Sequence, residues 1–188
     1  MVGKRVFLAM PLEPVDPAVE KMRQLQELLQ KYRIRWVIKE NFHVTLFFFG
    51  EIPTQQIPVL NDLLHLSLNN SRAFTFSLTS PGIFKKGKEP RVLWLGIKTN
   101  DQLVELKREV DKAVSALGFF PYEKTFRPHM TLGRFLPHQK ISSELEDVLK
   151  EAQIMESIEY SVPRLILFES KSFPAGPQYQ PIEFFPLI

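Results

Sequence analysis

Two short segments carry the residue types that can do chemistry, His43-Val44-Thr45-Leu46 and His129-Met130-Thr131-Leu132. In an extended strand residues i and i+2 project from one face, so His43 stands beside Thr45 and His129 beside Thr131, while Val44, Leu46, Met130 and Leu132 turn towards the core. An imidazole next to a hydroxyl joins a proton-transfer group to a hydrogen-bond donor, a pairing that suits a phosphoryl oxygen. The ordinary histidine pKa of about 6.5 keeps both protonation states accessible near neutrality, and two histidines allow an acid and a base at once. Two such units facing each other can grip one phosphate from both sides.

A lone histidine on an apolar strand is usually a hydrogen-bonded structural residue; here the surroundings repeat along with the motif. The first half reads as a strand over Val6–Met10 and a helix opening at Asp16-Pro17, with Asp16 as N-cap and Pro17 at N1. Strands follow over Ile34–Val37 and over His43–Phe49, the latter closed by Gly50-Glu51-Ile52-Pro53, then a helix from about Gln55 to Leu68 and a strand Phe74–Leu78. A shift of 86 residues, the separation of the two histidines, brings Arg5-Val6 onto Arg91-Val92, Lys21 onto Lys107, Trp36 onto Tyr122, Phe49 onto Phe135 and Phe74 onto Tyr160. The second half runs through a strand Val92–Ile97, a helix from Asp101 to about Leu117 ended by Gly118, the His129 strand, a helix from about Ser142 to Met155, and a strand Arg164–Phe168. A turn at Pro174-Ala175-Gly176-Pro177 and a last strand Gln178–Phe184 complete the chain, with Phe184-Phe185-Pro186 expected to pack on the body. The pattern predicts one domain over 1–188 with approximate repeats 5–80 and 91–168, a twofold duplication whose two lobes face each other across a cleft.

Length and composition bound the function. With 188 residues, 44% of them hydrophobic, the chain can bury a normal core. The longest apolar run near the start, Val6 to Met10, is too short for a signal-peptide core, and no run approaches the ~20 residues of a membrane span. The absence of cysteine removes thiolate nucleophiles, disulfides and Cys-ligated metals, and suggests a cytoplasmic setting. A net charge of +3 permits a phosphate-bearing ligand without the dense basic load of a duplex binder. There is no P-loop, no Gly-x-Ser-x-Gly elbow and no cluster of carboxylates for two metals, which leaves acid/base catalysis without cofactor or metal. A zinc site would need His43 and His129 joined by His65 or His138, but His65 falls among helical leucines and His138 in a Pro-flanked loop. Phe42, Phe47 and Phe49 are candidates for stacking on a nucleobase, although most of the sixteen phenylalanines must be core. Lys85, Lys86 and Lys88 form a short basic loop that can lie along RNA or simply be solvated.

The segments His43-Val44-Thr45-Leu46-Phe47-Phe48-Phe49-Gly50 and His129-Met130-Thr131-Leu132-Gly133-Arg134 closely resemble the paired signatures of the two-histidine phosphoesterases, specifically the RNA 2′,3′-cyclic phosphodiesterases also called 2′-5′ RNA ligases. Arg91-Val92-Leu93-Trp94-Leu95-Gly96 and the stretch from Glu169-Ser170 through Gly176-Pro177 to Tyr179 are similar to further parts of that family. The resemblance implies a bilobal α+β fold of two pseudo-symmetric lobes, each an antiparallel sheet with outer helices, and a central cleft floored by the two HxTx motifs. It implies hydrolysis of RNA 2′,3′-cyclic phosphate ends, or of small cyclic nucleotides, to 2′-phosphomonoesters, with 2′-5′ RNA ligation as the reverse; the residues themselves point to no membrane, and no obligate protein partner is inferred. By the same resemblance His129 is the proton acceptor that activates water, His43 the proton donor to the leaving 3′ oxygen, Thr45 and Thr131 donors to phosphate oxygens, and Arg134 a phosphate contact. Strict alternation from His129 places Arg134 on the opposite face, and a bulge at Gly133 is what can re-aim it. The alternatives are a non-catalytic protein that binds RNA ends, or a phosphoesterase acting on another cyclic phosphate or a 2′-5′-linked oligonucleotide.

Overall fold

A computed structural model describes residues 3–123, 125–152, 158–174 and 176–188. In chain order the elements are β1 (Gly3–Pro11), α1 (Asp16–Leu28), β2 (Ile34–Trp36), a 3₁₀ turn (Lys39–Asn41), β3 (His43–Pro53), α2 (Gln56–Leu68), β4 (Phe74–Lys86), β5 (Glu89–Lys98), α3 (Asp101–Ser115), β6 (His129–Phe135), α4 (Ser143–Glu151), β7 (Glu159–Val162), β8 (Arg164–Phe173) and β9 (Gly176–Pro186). The fold is α+β, and the strands form one antiparallel sheet in the order β7-β4-β5-β6-β3-β1-β8-β9, with β2 added along β6. The two halves of that order, β7-β4-β5-β6 and β3-β1-β8-β9, meet through a single residue pair, Val44 with Met130. In place of two separate sheets there is one that continues from half to half across this junction.

Helices cover the sheet because their apolar residues recur at three and four positions: Leu60, Leu64 and Leu68 of α2 and Leu103, Leu106, Val110 and Val114 of α3 are all buried, and the two helices pack on each other and on β3. None of the described helices is long and apolar enough to cross a membrane. Helix starts differ in their chemistry. Asn100 accepts from the Leu103 amide at 2.9 Å and Ser142 from the Leu145 amide at 3.2 Å, which satisfies amides at the starts of α3 and α4. Asp16 does not cap α1: Val15 is already in the right-handed helical region and its carbonyl accepts from Val19, so Asp16 falls inside the first turn. The helix expected to run to Met155 ends at Glu151, and residues 153–157 lie outside the described residues, as does Ala175 of the Pro174–Pro177 turn. Likewise α3 ends at Ser115, two residues before the expected Leu117, and Gly118 follows in a turn with φ 81.

Several strands are longer than their hydrophobic patterns suggest. β3 passes through Gly50, at φ 77, and continues to Pro53, because the bulge there keeps the ladder to β1 in step. β4 runs on to Lys86 and turns at Gly87 into β5, so Lys85 and Lys86 sit in a hairpin opposite Pro90 and Glu89 and not in a loop. The ladders also refine the 86-residue repeat. His43 and His129 are equivalent, but Phe7 faces Phe48 where Val92 faces Arg134, so β1 and β5 correspond at a separation of 85 residues and Arg5 does not match Arg91. Trp36 and Tyr122 are not equivalent either, since Trp36 pairs with Gly133 in a strand and Tyr122 is almost fully exposed outside any strand. The last strand of the second half is split at Pro163, β7 joining β4 and β8 joining β1, so each half of the sheet contains chain from both halves of the sequence. At the C-terminus Phe185 is buried and Phe184 is exposed, as strand alternation requires.

β2 lies so close to β6 that a Cβ on Gly133 would stand 2.5 Å from Ile34 Cγ2 and 3.2 Å from the Arg35 carbonyl oxygen. Gly133 is therefore required for this approach. The Gly133→Ala variant is expected to lose about 1–3 kcal/mol of stability, as overpacking against a stiff β-branched neighbour does, seen as a lower urea midpoint at unchanged m-value.

Candidate active site

The Val44–Met130 pair fixes the geometry. In an antiparallel ladder its flanking residues face each other on the opposite side of the sheet, so the register sets His43 towards Thr131 and Thr45 towards His129. Val44, Leu46, Met130 and Leu132 are buried on the core side, while the four polar side chains line one cleft of about 360 Å³, large enough for a nucleotide-sized ligand.

Both imidazoles are held by the backbone two residues upstream. His43 Nδ1 lies 2.7 Å from the Asn41 carbonyl oxygen and His129 Nδ1 lies 2.8 Å from that of Arg127. A carbonyl only accepts, so each Nδ1 carries the hydrogen and each Nε2 of the neutral ring keeps its lone pair. His43 Nε2 lies 3.1 Å from Thr45 Oγ1 and accepts from it. Rings fix the rest of the orientation. His43 is packed against Phe7 and Tyr179, with centroids 4.9 and 5.0 Å away, and Phe84 meets His129 edge-on at 4.7 Å. Asn41, a buried polar residue, donates from Nδ2 to the Pro177 carbonyl at 2.8 Å and so ties the start of β9, with Tyr179, to the segment that holds His43.

Electrostatics favour the neutral form of both rings. Burial pushes His43 down to about 4, opposed by the Asn41 hydrogen bond and reinforced by the charges of His129 and Arg134. His129 is also lowered, by burial first, against the Arg127 hydrogen bond and the charge of Glu123, with Arg134 again acting downwards. Burial raises the Tyr179 phenol, while Arg134 and Arg5 pull it back.

Arg134 lines the same cleft as His129 and Thr131. Trp94 pairs with Thr131 and Leu93 with Gly133, which leaves Leu132 as the extra residue of a bulge and restores Arg134 to the cleft face. The bulge sits at Leu132, and Gly133 serves the approach of β2. β3 has the matching bulge at Leu46, between Ala9–Thr45 and Leu8–Phe47. Its consequence is that Phe47 and Phe49 are buried while Phe48 is exposed on the cleft. Phe42 is buried too, so none of the three aromatics named as stacking candidates is available for stacking, and Phe48 was missed. The 86-residue repeat carried the missing signal, since it places Phe48 on Arg134. Arg5, Arg35, Asn41 and Tyr179 also reach the cleft without having been singled out for that role. Lys85, Lys86 and Lys88 do not line it. Neither do His65, which lies against Phe185 and Glu183, and His138, in a loop at φ 65; the four histidines do not converge. Among the described residues no group of three His, Asp or Glu side chains is placed to hold a metal ion.

The model of the 2′-5′ RNA ligase superfamily matches residues 11–171. The chain belongs to this superfamily. Relatives similar to it along nearly the whole length include the RNA 2′,3′-cyclic phosphodiesterase of Thermotoga maritima, 33% identical over 94% of this chain and 91% of the relative. The protein of the same name from Methanocaldococcus jannaschii is 31% identical over 95% and 98%. In fold the chain is similar to a Thermus thermophilus protein (TM-score 0.78, 24% identity, 97% of each chain) and to Escherichia coli LigT complexed with 3′-AMP (TM-score 0.73, 24% identity, 99% of each chain).

The depressed His43 makes stability pH-dependent with a definite sign. Between the ordinary value of about 6.5 and the folded value of about 4 the unfolded chain binds a proton that the native ring does not, so stability is full above that window and falls as pH drops through it, by at most about 1.4 kcal/mol per pH unit. Urea titrations from pH 7 to 4 are expected to show a steeper loss for the wild type than for His43→Gln.

Proposed function

We propose that the chain hydrolyses RNA 2′,3′-cyclic phosphate ends to 2′-phosphomonoesters, with His129 as proton acceptor, His43 as proton donor, and Thr45, Thr131 and Arg134 as phosphate contacts. The observation that carries this reading is the pair of imidazoles with fixed tautomers, each beside a threonine hydroxyl, on one nucleotide-sized cleft with Arg134. The names of the relatives support the same substrate class.

In the proposed step Nε2 of His129 takes a proton from water, the oxygen attacks phosphorus, and the bond from phosphorus to O3′ breaks as His43 delivers its Nε2 proton to that oxygen. His129 then returns its proton to solvent. Burial favours the neutral His43 ring, so it must gain its proton as the anionic phosphodiester binds; that negative charge favours the imidazolium and opposes the burial that holds the ring near 4. Donors from Thr45, Thr131 and Arg134 face the phosphate oxygens, where charge builds up in the transition state. Run backwards with a 5′ hydroxyl in place of water, the same proton transfers join a 2′-5′ linkage. We further read residues 1–188 as one bilobal unit with repeats 5–80 and 91–168, and a chain without cysteine as cytoplasmic.

The expected outcome is turnover of a nucleoside 2′,3′-cyclic phosphate, retained in EDTA, with a bell-shaped pH profile. His43→Ala and His129→Ala are expected to lower kcat by about 10²–10⁴ each. Parent-like turnover by either variant, followed by chromatography of the 2′-phosphate product, would overturn the assignment.

A further inference from the structure

Arg35 and Arg134 are direct partners in the β2–β6 ladder. Opposed residues of an antiparallel pair project from the same face, about 5 Å apart at Cα, so two guanidinium groups are set side by side on the cleft wall. Like charges placed directly opposite destabilise a sheet. Carboxylates answer other arginines: Arg91 is paired with Glu89, Arg108 with Glu105 and Arg164 with Glu13. Among the described residues no carboxylate lies within ion-pair distance of Arg35 or Arg134, although both are exposed to the cleft. Arg5, the other arginine on the cleft, also has no carboxylate within ion-pair distance among the described residues, but its guanidinium lies over the Phe48 ring at 5.0 Å.

The cleft is much larger than one phosphate group, and on the reading above His43, His129 and Arg134 serve a single phosphate within it. Arg35, on β2, stands directly across the ladder from Arg134, on the same edge of β6 that β3 pairs with and opposite β5. A second anion joined to the first through a ribose has Arg35 as the cation next to Arg134 on this wall, and a guanidinium fork is well matched to phosphate oxygens.

Resting on the cyclic-phosphodiesterase reading above, we propose that Arg35 forms a second phosphate subsite, which takes the phosphate on the 5′ oxygen of the nucleotide whose cyclic phosphate reacts. The preferred substrate is then an RNA chain end, whose internucleotide phosphate fills the subsite, over a free nucleoside cyclic phosphate. Filling the subsite also separates two like charges that the ladder forces together.

Calorimetric titration with adenosine 2′-monophosphate, adenosine 2′,5′-bisphosphate and adenylyl-(3′→5′)-adenosine 2′-phosphate tests the proposal without requiring turnover. The wild type is expected to bind the bisphosphate and the dinucleotide about tenfold or more tightly than the monophosphate, the size of one hydrogen-bonded charge pair, with a preference that shrinks as salt is raised. Arg35→Gln is expected to bring the three affinities within about twofold, Arg35→Lys to keep part of the preference, and Arg23→Gln, a charge removed from the exposed face of α1, to keep all of it. A preference for the bisphosphate alone would identify the ligand as a terminal 5′ monophosphate, whereas a shared preference identifies the internucleotide diester. Equal binding of all three by the wild type, or a preference that survives Arg35→Gln, overturns the subsite. If the wild type shows the Arg35-dependent preference and yet hydrolyses no cyclic phosphate, the subsite stands and the hydrolytic reading fails.

Discussion

Val44 and Met130 join the two halves of the sheet, and every distance across the cleft depends on that one antiparallel pairing. It puts both apolar side chains into the core and, by the two-residue period of a strand, brings His43, Thr45, His129 and Thr131 out on the other side. Slippage by a single residue would turn all four inwards, so the core that excludes water from one face also sets the chemistry of the other. The edges of the sheet contribute by exchange: β4 from the first half of the chain supports the His129 side, and β8 and β9 from the second support the His43 side.

The parts of this arrangement legible in the sequence are those that depend on period alone. His-x-Thr at strand spacing, the buried residues between them, the order of elements and the helix stripes follow from side-chain alternation and from the 3.6-residue turn, and the α+β architecture agrees with them. What escaped depends on interruptions of period. An extra residue at Leu46 and another at Leu132 reverse which side chains face the cleft, so Phe48 and Arg134 are exposed there while Phe47 and Phe49 are buried. Nothing local marks these bulges, because Leu46 and Leu132 suit a regular strand equally well. Gly133, which invites the idea of a kink, is instead fixed by the approach of Ile34 from a strand some hundred residues earlier in the chain. Arg35, Asn41 and Tyr179 are polar or amphipathic residues of kinds found on any surface, and only the register of β2, β8 and β9 gathers them at one site.

Electrostatically the cleft is prepared for an anion that is not a carboxylate of the chain itself. Burial keeps the imidazoles neutral, and the positive potential comes from Arg134 and Arg5, both of which are felt at the Tyr179 phenol. On the proposed reading, proton transfer and binding are linked, since the anionic ligand that needs an acid also favours the imidazolium that supplies one.

The carbonyl groups that orient the two imidazoles belong to the main chain, at Asn41 and Arg127. In many acid/base sites a carboxylate holds the ring, and its loss by mutation turns the tautomer over. Here the tautomer is inherited from the path of the backbone entering each strand, which no point substitution in a supporting side chain removes. A lineage carrying this fold can thus exchange an aromatic for a cation at the position shared by Phe48 and Arg134 without turning over the tautomer of either histidine.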